Sequence, residues 1–492
     1  MRKTSRVFAL ATGLMLMAAV SPAYYHFIHY TGRSTPYAPI PEKFDLNSLP
    51  GHTLQVFVSD QSPAQLSELD SLAGVVSQIR LAAATWNNVG TCDLRVAYGG
   101  LFTPGTQRNT PGVEVTFEEV PPGLVAMGGP TVWGDPVIAE SGSYVPIRRS
   151  VVILRNDLSQ KPSYSEGFFG TMVHELGHAL GLQHSLTSAT MSTDYTRATT
   201  RGRPLATDDR VALSLLYPVP GFLSSTGSIT GRVTMGDQGV HLASVVALPP
   251  NGMPVSALTN PDGTYRIDGL PVGPYYVYVH PLPPTELASN GIRLPVDADG
   301  QQVAAASPFV SQFYPGTRDV RQASPLSVTA GATNEAINFA VEPRSYVPLY
   351  AVTTYSYPGQ TAAKPAFISE SMMLGGNRSF LVAGGAGLVS NGAPVAGLDV
   401  SVLGDAAVVP ESGLSAYGPD PRYLRVDFQY GMLLTEGARH LIFSIPSDIY
   451  VLPAGLTLTG KLPPSITTVT PAVEGESTRV ARLAGTNLSA TT

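Results

Sequence analysis

With 492 residues, the chain is long enough for three or four domains. A formal net charge of −6, with only 13% of residues charged, leaves no basic footprint for nucleic acid. The 49 glycines and 43 prolines come without low-complexity tracts, which points to many short strands and turns rather than to disorder.

Residues 1–23, MRKTSRVFALATGLMLMAAVSPA, combine a basic start, an apolar run from Val7 to Val20 and small residues at Ser21 and Ala23. This pattern predicts a signal peptide, because the run is shorter than the ~18 apolar residues of a membrane span. No other segment is apolar enough to span a bilayer, so the mature chain is expected to be secreted, without a membrane span. A single cysteine, Cys92, permits no intramolecular disulfide and reads as a buried small apolar residue.

Residues 24–51 are proline-rich and read as an extended lead-in. Thr53–Asp60 alternates like a strand. From Ala64 to Val89, apolar residues Leu69, Leu72, Val76, Ile79, Ala83 and Trp86 recur at helical spacing, predicting an amphipathic helix that ends near Gly90. LRVAY, VEVTF, GLVAM and SVVIL read as strands. A second helix follows, with Ser163 and Glu166 as a capping box behind Pro162. Phe169, Met172, Val173, Leu176 and Leu180 form its core stripe. A third helix is opened by Thr207, Asp208 and Asp209 and closed by Pro218.

The second helix carries HELGHALGLQHS, residues 174–185, which holds three of the nine histidines of the chain. Residues four apart share a helix face, so His174 and His178 project together, close enough to grip one ion. Glu175 lies between them, turned so that it reaches water held on that ion. Gly181 tolerates positive φ and lets the chain turn back, delivering His184 as a third ligand. Three neutral imidazoles leave one tetrahedral position for water, the signature of a catalytic rather than a structural zinc site.

The extended run H-E-x-x-H-x-x-G-x-x-H resembles that of the metzincin zinc peptidases. Met191 in SATMST is similar to their methionine turn, which floors the metal without ligating it. Ser185 after the third histidine, together with LATDDRVALSLLYP, resembles the matrixin branch, and the resemblance spans residues 52–218. It implies one catalytic Zn2+ on His174, His178 and His184, with Glu175 as general base; calcium enters only through the family analogy. Some family features are missing: there is no H-x-D signature for a second zinc and no cysteine before the first strand to act as a thiol switch. No tyrosine stands two residues after Met191, and Tyr195 is displaced from that place.

YPVPGFLSSTGS reads as a linker, and the composition then becomes all-β. Residues 225–344, notably NPDGTYRIDGLPVGPYYVYV, resemble carboxypeptidase-regulatory-like, prealbumin-type sandwiches. Asp297–Gly300 (DADG) lacks the remaining ligand positions of a calcium loop and reads as a polar turn. Residues 346–463 predict a further β-sandwich. Residues 464–492 resemble the opening of an IPT/TIG-like module that stops before its core closes, so the chain reads as part of a longer product.

The expected architecture is multidomain: a metzincin-like α+β catalytic domain at 52–220, followed by all-β sandwich domains. The expected function is that of a secreted zinc metalloendopeptidase acting on extracellular proteins or peptides. Its β-modules would position it on a polymeric or surface ligand. The alternatives are a β-rich surface or adhesion protein with an inactive protease-like domain, and a zinc hydrolase of non-peptide bonds. His241, His280 and His440 are isolated and read as structural.

Overall fold

The computed structural model describes residues 25–33, 37–106, 108–138, 142–192, 198–283, 291–356, 371–373, 379–403, 408–410, 413–417, 423–430, 435–459, 465–471 and 481–486. The predicted signal peptide and Tyr195 lie outside them. The described chain is mostly β, with several sheets and few helices. Among the described residues no helix is long and apolar enough to cross a membrane.

The first body contains β1 (Ile28–Tyr30), β2 (Pro39–Lys43), β3 (Thr53–Ser59), α1 (Leu72–Trp86), β4 (Arg95–Phe102), β5 (Gly112–Glu118), β6 (Ala126–Trp133), β7 (Val145–Arg155), α2 (Glu166–Ala179) and α3 (Thr207–Leu216). Its sheet runs β1-β2-β7-β5-β3-β4, with β6 on β7. β2, β7, β5, β3 and β4 pair in parallel, whereas β6 runs antiparallel to β7. Parallel strands are buried on both faces and need helical cover. That cover is a shared cluster in which Val56, Val58, Val113, Val115, Val152 and Leu154 of the sheet pack with Ile79, Ala83 and Trp86 of α1 and Phe169, Met172, Val173 and Leu176 of α2. Trp86 is fully enclosed and satisfies its indole N–H on the Val173 carbonyl at 3.1 Å.

Both long helices begin later than their periodicity suggests. α1 starts at Leu72, because Ser71 takes the orphan Gly74 amide at 3.1 Å. Residues 64–70 are instead held by the loop after β7, where Ala64 N–H reaches Asn156 Oδ1 at 2.8 Å, and Leu69 is left exposed. α2 is capped by Ser165, whose Oγ accepts from Phe168 N–H at 3.1 Å. Ser163 is unavailable as a cap: its N–H and Oγ both bond the Asp70 carboxylate, at 2.6 and 2.7 Å.

The segment that reads as a linker contains a helical turn, α4 (Phe222–Ser225), with Phe222 buried. It leads into β8 (Gly227–Met235), β9 (Gln238–Gly239), β10 (Ser244–Leu248), β11 (Val255–Leu258), β12 (Thr264–Leu270), β13 (Gly273–His280), β14 (Gln312–Phe313), β15 (Leu326–Val328), β16 (Thr333–Asn334) and β17 (Phe339–Ala340). These form two five-stranded sheets, β11-β10-β13-β14 with β15, and β12-β8-β16 with β17 and β9. A side chain on Gly269 of β12 would run into Val211 of α3 at 2.7 Å and Phe222 at 2.9 Å, so the strand lies directly on both helices. Buried residues of this sandwich and of the first body accordingly belong to one continuous core. The DADG stretch is a polar turn, with Asp297 Oδ1 accepting the Asp299 and Gln301 amides at 2.9 Å each.

Downstream, one sheet joins 350–356, 379–386, 423–430 and 408–410, and a second joins 371–373, 448–459, 437–445 and 399–402. Leu381, Val426, Phe428, Leu441, Phe443 and Leu456 fill the space between them. Val246, Leu248, Tyr278 and Phe313 pack with Ile442, Ile449 and Val451, fastening this pair of sheets to the preceding sandwich. A hairpin of 465–471 with 481–486 follows.

Because buried Phe222 packs against Gly269 of β12, beside Val211 of α3, Phe222→Ala is expected to cost about 3 kcal/mol of stability, the usual scale for a buried phenylalanine. Both tryptophans, Trp86 and Trp133, lie in the first body. A lowered denaturation midpoint in tryptophan fluorescence checks the coupling; an unchanged midpoint would show that the two bodies unfold independently.

Candidate metal centre

The centre is built on the last two turns of α2 and the reversal after it. His174 and His178 stand one turn apart on α2, both buried. Leu180 caps the helix, and Gly181 takes φ +105°, a left-handed conformation that glycine adopts without steric cost. Leu182 N–H returns to the Gly177 carbonyl at 3.1 Å, closing the turn. The reversed chain then brings His184 back over the helix.

The three Nε2 atoms form a near-equilateral triangle with edges of 3.0 Å (His174–His178), 3.1 Å (His174–His184) and 3.1 Å (His178–His184). Each ring places Nδ1 on a backbone carbonyl: His174 on Thr190 at 2.7 Å, His178 on Leu182 at 2.8 Å and His184 on Gly291 at 3.0 Å. A carbonyl only accepts, so each Nδ1 carries the proton and each Nε2 of a neutral ring presents a lone pair. Three lone pairs that converge without a proton between them call for a cation. Zinc–nitrogen bonds of about 2.0–2.1 Å at tetrahedral angles set nitrogens about 3.3 Å apart, close to the observed edges. The residues therefore fit a Zn2+ ion. Among the described residues this is the one cluster of three or more His, Cys, Asp or Glu side chains whose ligand atoms come within 4.8 Å of one another.

Met191 is buried. A side chain on Gly177, the residue before His178, would meet Met191 Sδ, and Trp86 at 2.8 Å. Asp209 at the start of α3 holds the turn that carries Met191. Its carboxylate accepts from the amides of Thr190 at 3.0 Å, Met191 at 2.9 Å and Ala206 at 2.7 Å. The Thr190 carbonyl thereby stays fixed for His174, a chain of support reaching from α3 to the imidazole cluster.

Glu175 is 7% exposed and lies under β6, where a side chain on Gly128 would meet its carbonyl at 2.4 Å and its Oε2 at 3.0 Å. The strand proper begins at Ala126, so the GLVAM stretch starts in a turn, with Gly123 at φ +90°. Among the described residues β6 pairs only with β7, leaving its other edge without a strand partner.

The lead-in is folded onto the site. Phe27 N–H bonds the Gly181 carbonyl at 3.2 Å, and the Phe27 ring lies 6.0 Å from that of His178. Glu42, 1% exposed, accepts from Trp133 Nε1 at 2.7 Å and bonds His29 Nε2 at 2.6 Å, with the Arg293 guanidinium 3.5 Å away. His26 is turned away, with Nε2 on the Ala212 carbonyl at 2.8 Å, and burial lowers its pKa to about 4. Cys92 is fully buried, with a thiol pKa pushed up to about 12 by desolvation. His241 of the sandwich pairs with Tyr30 Oη of β1 at 2.9 Å, and His440 with the Pro249 carbonyl at 2.9 Å.

Sequence reasoning missed Gly128, Gly177, Asp209 and Gly291. Gly177 left a trace, since a glycine inside a helix costs about 1 kcal/mol and needs a packing reason. Asp209 reads only as a helix opener, and nothing local marks Gly128 or Gly291.

Three imidazoles on a helix and its return turn, flanked by a glutamate, make a candidate mononuclear zinc centre. The family model described as Matrixin matches residues 154–218, which hold α2, the methionine turn and α3; the match supports a metzincin-like domain here. No curated protein matches the chain significantly. Solved structures with some similarity include the TIE protein of Bacillus anthracis, 11% identical over 48% of this chain and 50% of that one, with a TM-score of 0.15. The major pilin subunit of Bacillus cereus is 11% identical over 46% of this chain and 66% of its own, with a TM-score of 0.14. Fervidolysin from Fervidobacterium pennivorans, a keratinolytic enzyme related to subtilisin, is 17% identical over 50% of this chain and 31% of its own, with a TM-score of 0.15. The chain thus spans half the length of the first of these and 66% of the second. Superpositions this poor carry no argument.

Asp208, beside Asp209, accepts Thr187 Oγ1–H at 2.7 Å and Ser256 N–H at 3.0 Å. Burial raises its pKa to about 7; the Thr187 bond opposes the rise and the charge of Asp209 adds to it. The folded chain therefore binds this proton more tightly than the unfolded chain, whose aspartate titrates near about 3.9. This residue makes stability fall as pH rises from about 4 to about 7. Asp208→Asn removes that slope, so denaturation midpoints should show the variant gaining on the parent between pH 5 and pH 8. A difference that stays constant with pH would contradict the assignment.

Proposed function

We propose that the chain is a secreted zinc-dependent endopeptidase acting on protein or peptide substrates. The observation that carries this reading is the convergence of three Nε2 lone pairs, each fixed by a carbonyl at Nδ1, beside a buried glutamate on the same helix. His174, His178 and His184 would hold the ion. Zinc held there supplies Lewis acidity for the scissile carbonyl and the attacking water. Glu175 accepts the proton of that water and returns it to the leaving amine, so one carboxylate serves both halves of the hydrolysis. An extended substrate adds to the open edge of β6 through backbone hydrogen bonds, which suits cleavage within a chain rather than at its end. The reading of residues 1–23 as a signal peptide supports an extracellular location, and the matrixin match around the site supports the reaction class. In this reading the β-bodies would position the enzyme on a polymeric or surface ligand.

Glu175→Gln should leave zinc bound and the fold intact while lowering peptidase turnover at least about a hundredfold. The check is casein hydrolysis with and without a chelator, alongside metal content. Undiminished turnover in Glu175→Gln removes this residue from the mechanism. Absence of hydrolysis in the zinc-loaded parent would instead favour a β-rich surface protein carrying an inactive protease-like domain.

The burial of Cys92 adds an expectation about latency. Its thiol lies in the core, with Sγ 3.7 Å from the Leu94 carbonyl, and no cysteine precedes it. Cys92→Ser and treatment with an organomercurial should both leave the onset of activity unchanged. Activation by mercurial that disappears in the serine variant would make Cys92 a switch.

A further inference from the structure

The third ligand is held differently from the other two. His174 and His178 donate to carbonyls of the first body, at Thr190 and Leu182, whereas the acceptor for His184 Nδ1 is the carbonyl of Gly291, 107 residues downstream in the first β-sandwich. That carbonyl is not on a free loop tip. Gln183 Nε2 donates to the Arg293 carbonyl at 3.1 Å, and Tyr30 N–H bonds the Val296 carbonyl at 2.8 Å. Ile292 and Leu294 pack into a cluster with Tyr25 of the lead-in, Leu186 just after the third ligand, and Leu242 and Leu258 of the sandwich. The segment 291–296 is therefore clamped between lead-in, ligand loop and sandwich.

Gly291 itself sits at φ +58°, and a side chain there would meet His184 Nδ1 at 2.1 Å and Cε1 at 2.4 Å. No other residue type fits between that backbone and the ring. Without the Gly291 carbonyl, His184 loses the partner that keeps its proton on Nδ1 and its Nε2 lone pair directed at His174 and His178.

We propose that the first β-sandwich is part of the metal centre: its segment 291–296 is a positioning element that supplies, through Gly291, the acceptor setting the tautomer and orientation of the third zinc ligand. The inference rests on the zinc-site reading above and deepens it. A complete three-histidine site then requires the sandwich, and the sandwich is more than a tether for the catalytic body. Loss of such a supporting partner typically weakens metal binding about 10–100-fold.

The test uses the full chain and Zn2+ or Co2+ as the probe. Gly291→Ala is compared with Gly300→Ala, a change at another left-handed glycine of the same sandwich (φ +76°) where an added side chain meets nothing within 4 Å. Gly291→Ala should raise the zinc dissociation constant at least about tenfold and alter the visible spectrum of the cobalt-loaded chain. Gly300→Ala, equally strained, should match the parent in both. Parental affinity and spectrum in a folded Gly291→Ala would overturn the proposal. If that variant does not fold, Leu294→Ala, which loosens the packing of segment 291–296 against Tyr25, Leu186, Leu242 and Leu258, decides: a severalfold weaker zinc affinity supports the clamp, and an unchanged one overturns it. A parent chain that binds no zinc defeats the zinc-site reading, and this proposal with it, before any substitution is made. Failure of the proposal alone shows instead as a zinc-binding parent with indifferent variants.

Discussion

Everything proposed for this chain depends on three hydrogen bonds from imidazole Nδ1 to backbone carbonyls. They set the tautomer of each ring and so aim three Nε2 lone pairs at one point. A carbonyl is a reliable device for this, because it accepts and never donates. The rest of the first body can be understood as the means of holding those carbonyls still. The Thr190 carbonyl is fixed by Asp209 through the neighbouring amides, and the Leu182 carbonyl is set by the turn at Gly181. The Gly291 carbonyl arrives from the sandwich.

This arrangement explains why buried carboxylates gather at the start of α3. Charged groups are costly to enclose unless they are fully bonded, and here the bonding is what fastens separate pieces of chain. Asp209 ties α3 to the methionine turn, and Asp208 ties the loop after His184 to Ser256 of β11. Glu42 does the same for the lead-in, joining β2 to Trp133 of β6 and facing Arg293 of the sandwich. The lead-in, the helix-bearing body and the sandwich meet around the site through three carboxylates and one continuous apolar core.

Much of the site is legible in the sequence because its chemistry is local. His174, Glu175, His178, Gly181 and His184 lie within eleven residues, and helical spacing plus one left-handed glycine suffices to bring them together. Helix starts were harder to read: Ser163 and Ser71 are both good caps in isolation, and only the distant partner Asp70 diverts Ser163 and leaves Ser165 to begin α2. The stretch around Phe222 has the composition of a linker, yet its one aromatic ring is buried against Gly269 of β12, so the stretch is packed rather than free. Gly291 was illegible for the same reason. Its significance lies wholly in a contact made across more than a hundred residues.

X-ray absorption at the zinc edge on the purified, zinc-loaded full chain tests the central claim most directly. The account predicts one zinc per chain with a first shell of three imidazole nitrogens at about 2.0–2.1 Å and no sulfur. A shell containing sulfur, fewer than three imidazoles, or no stoichiometric zinc at all would contradict it.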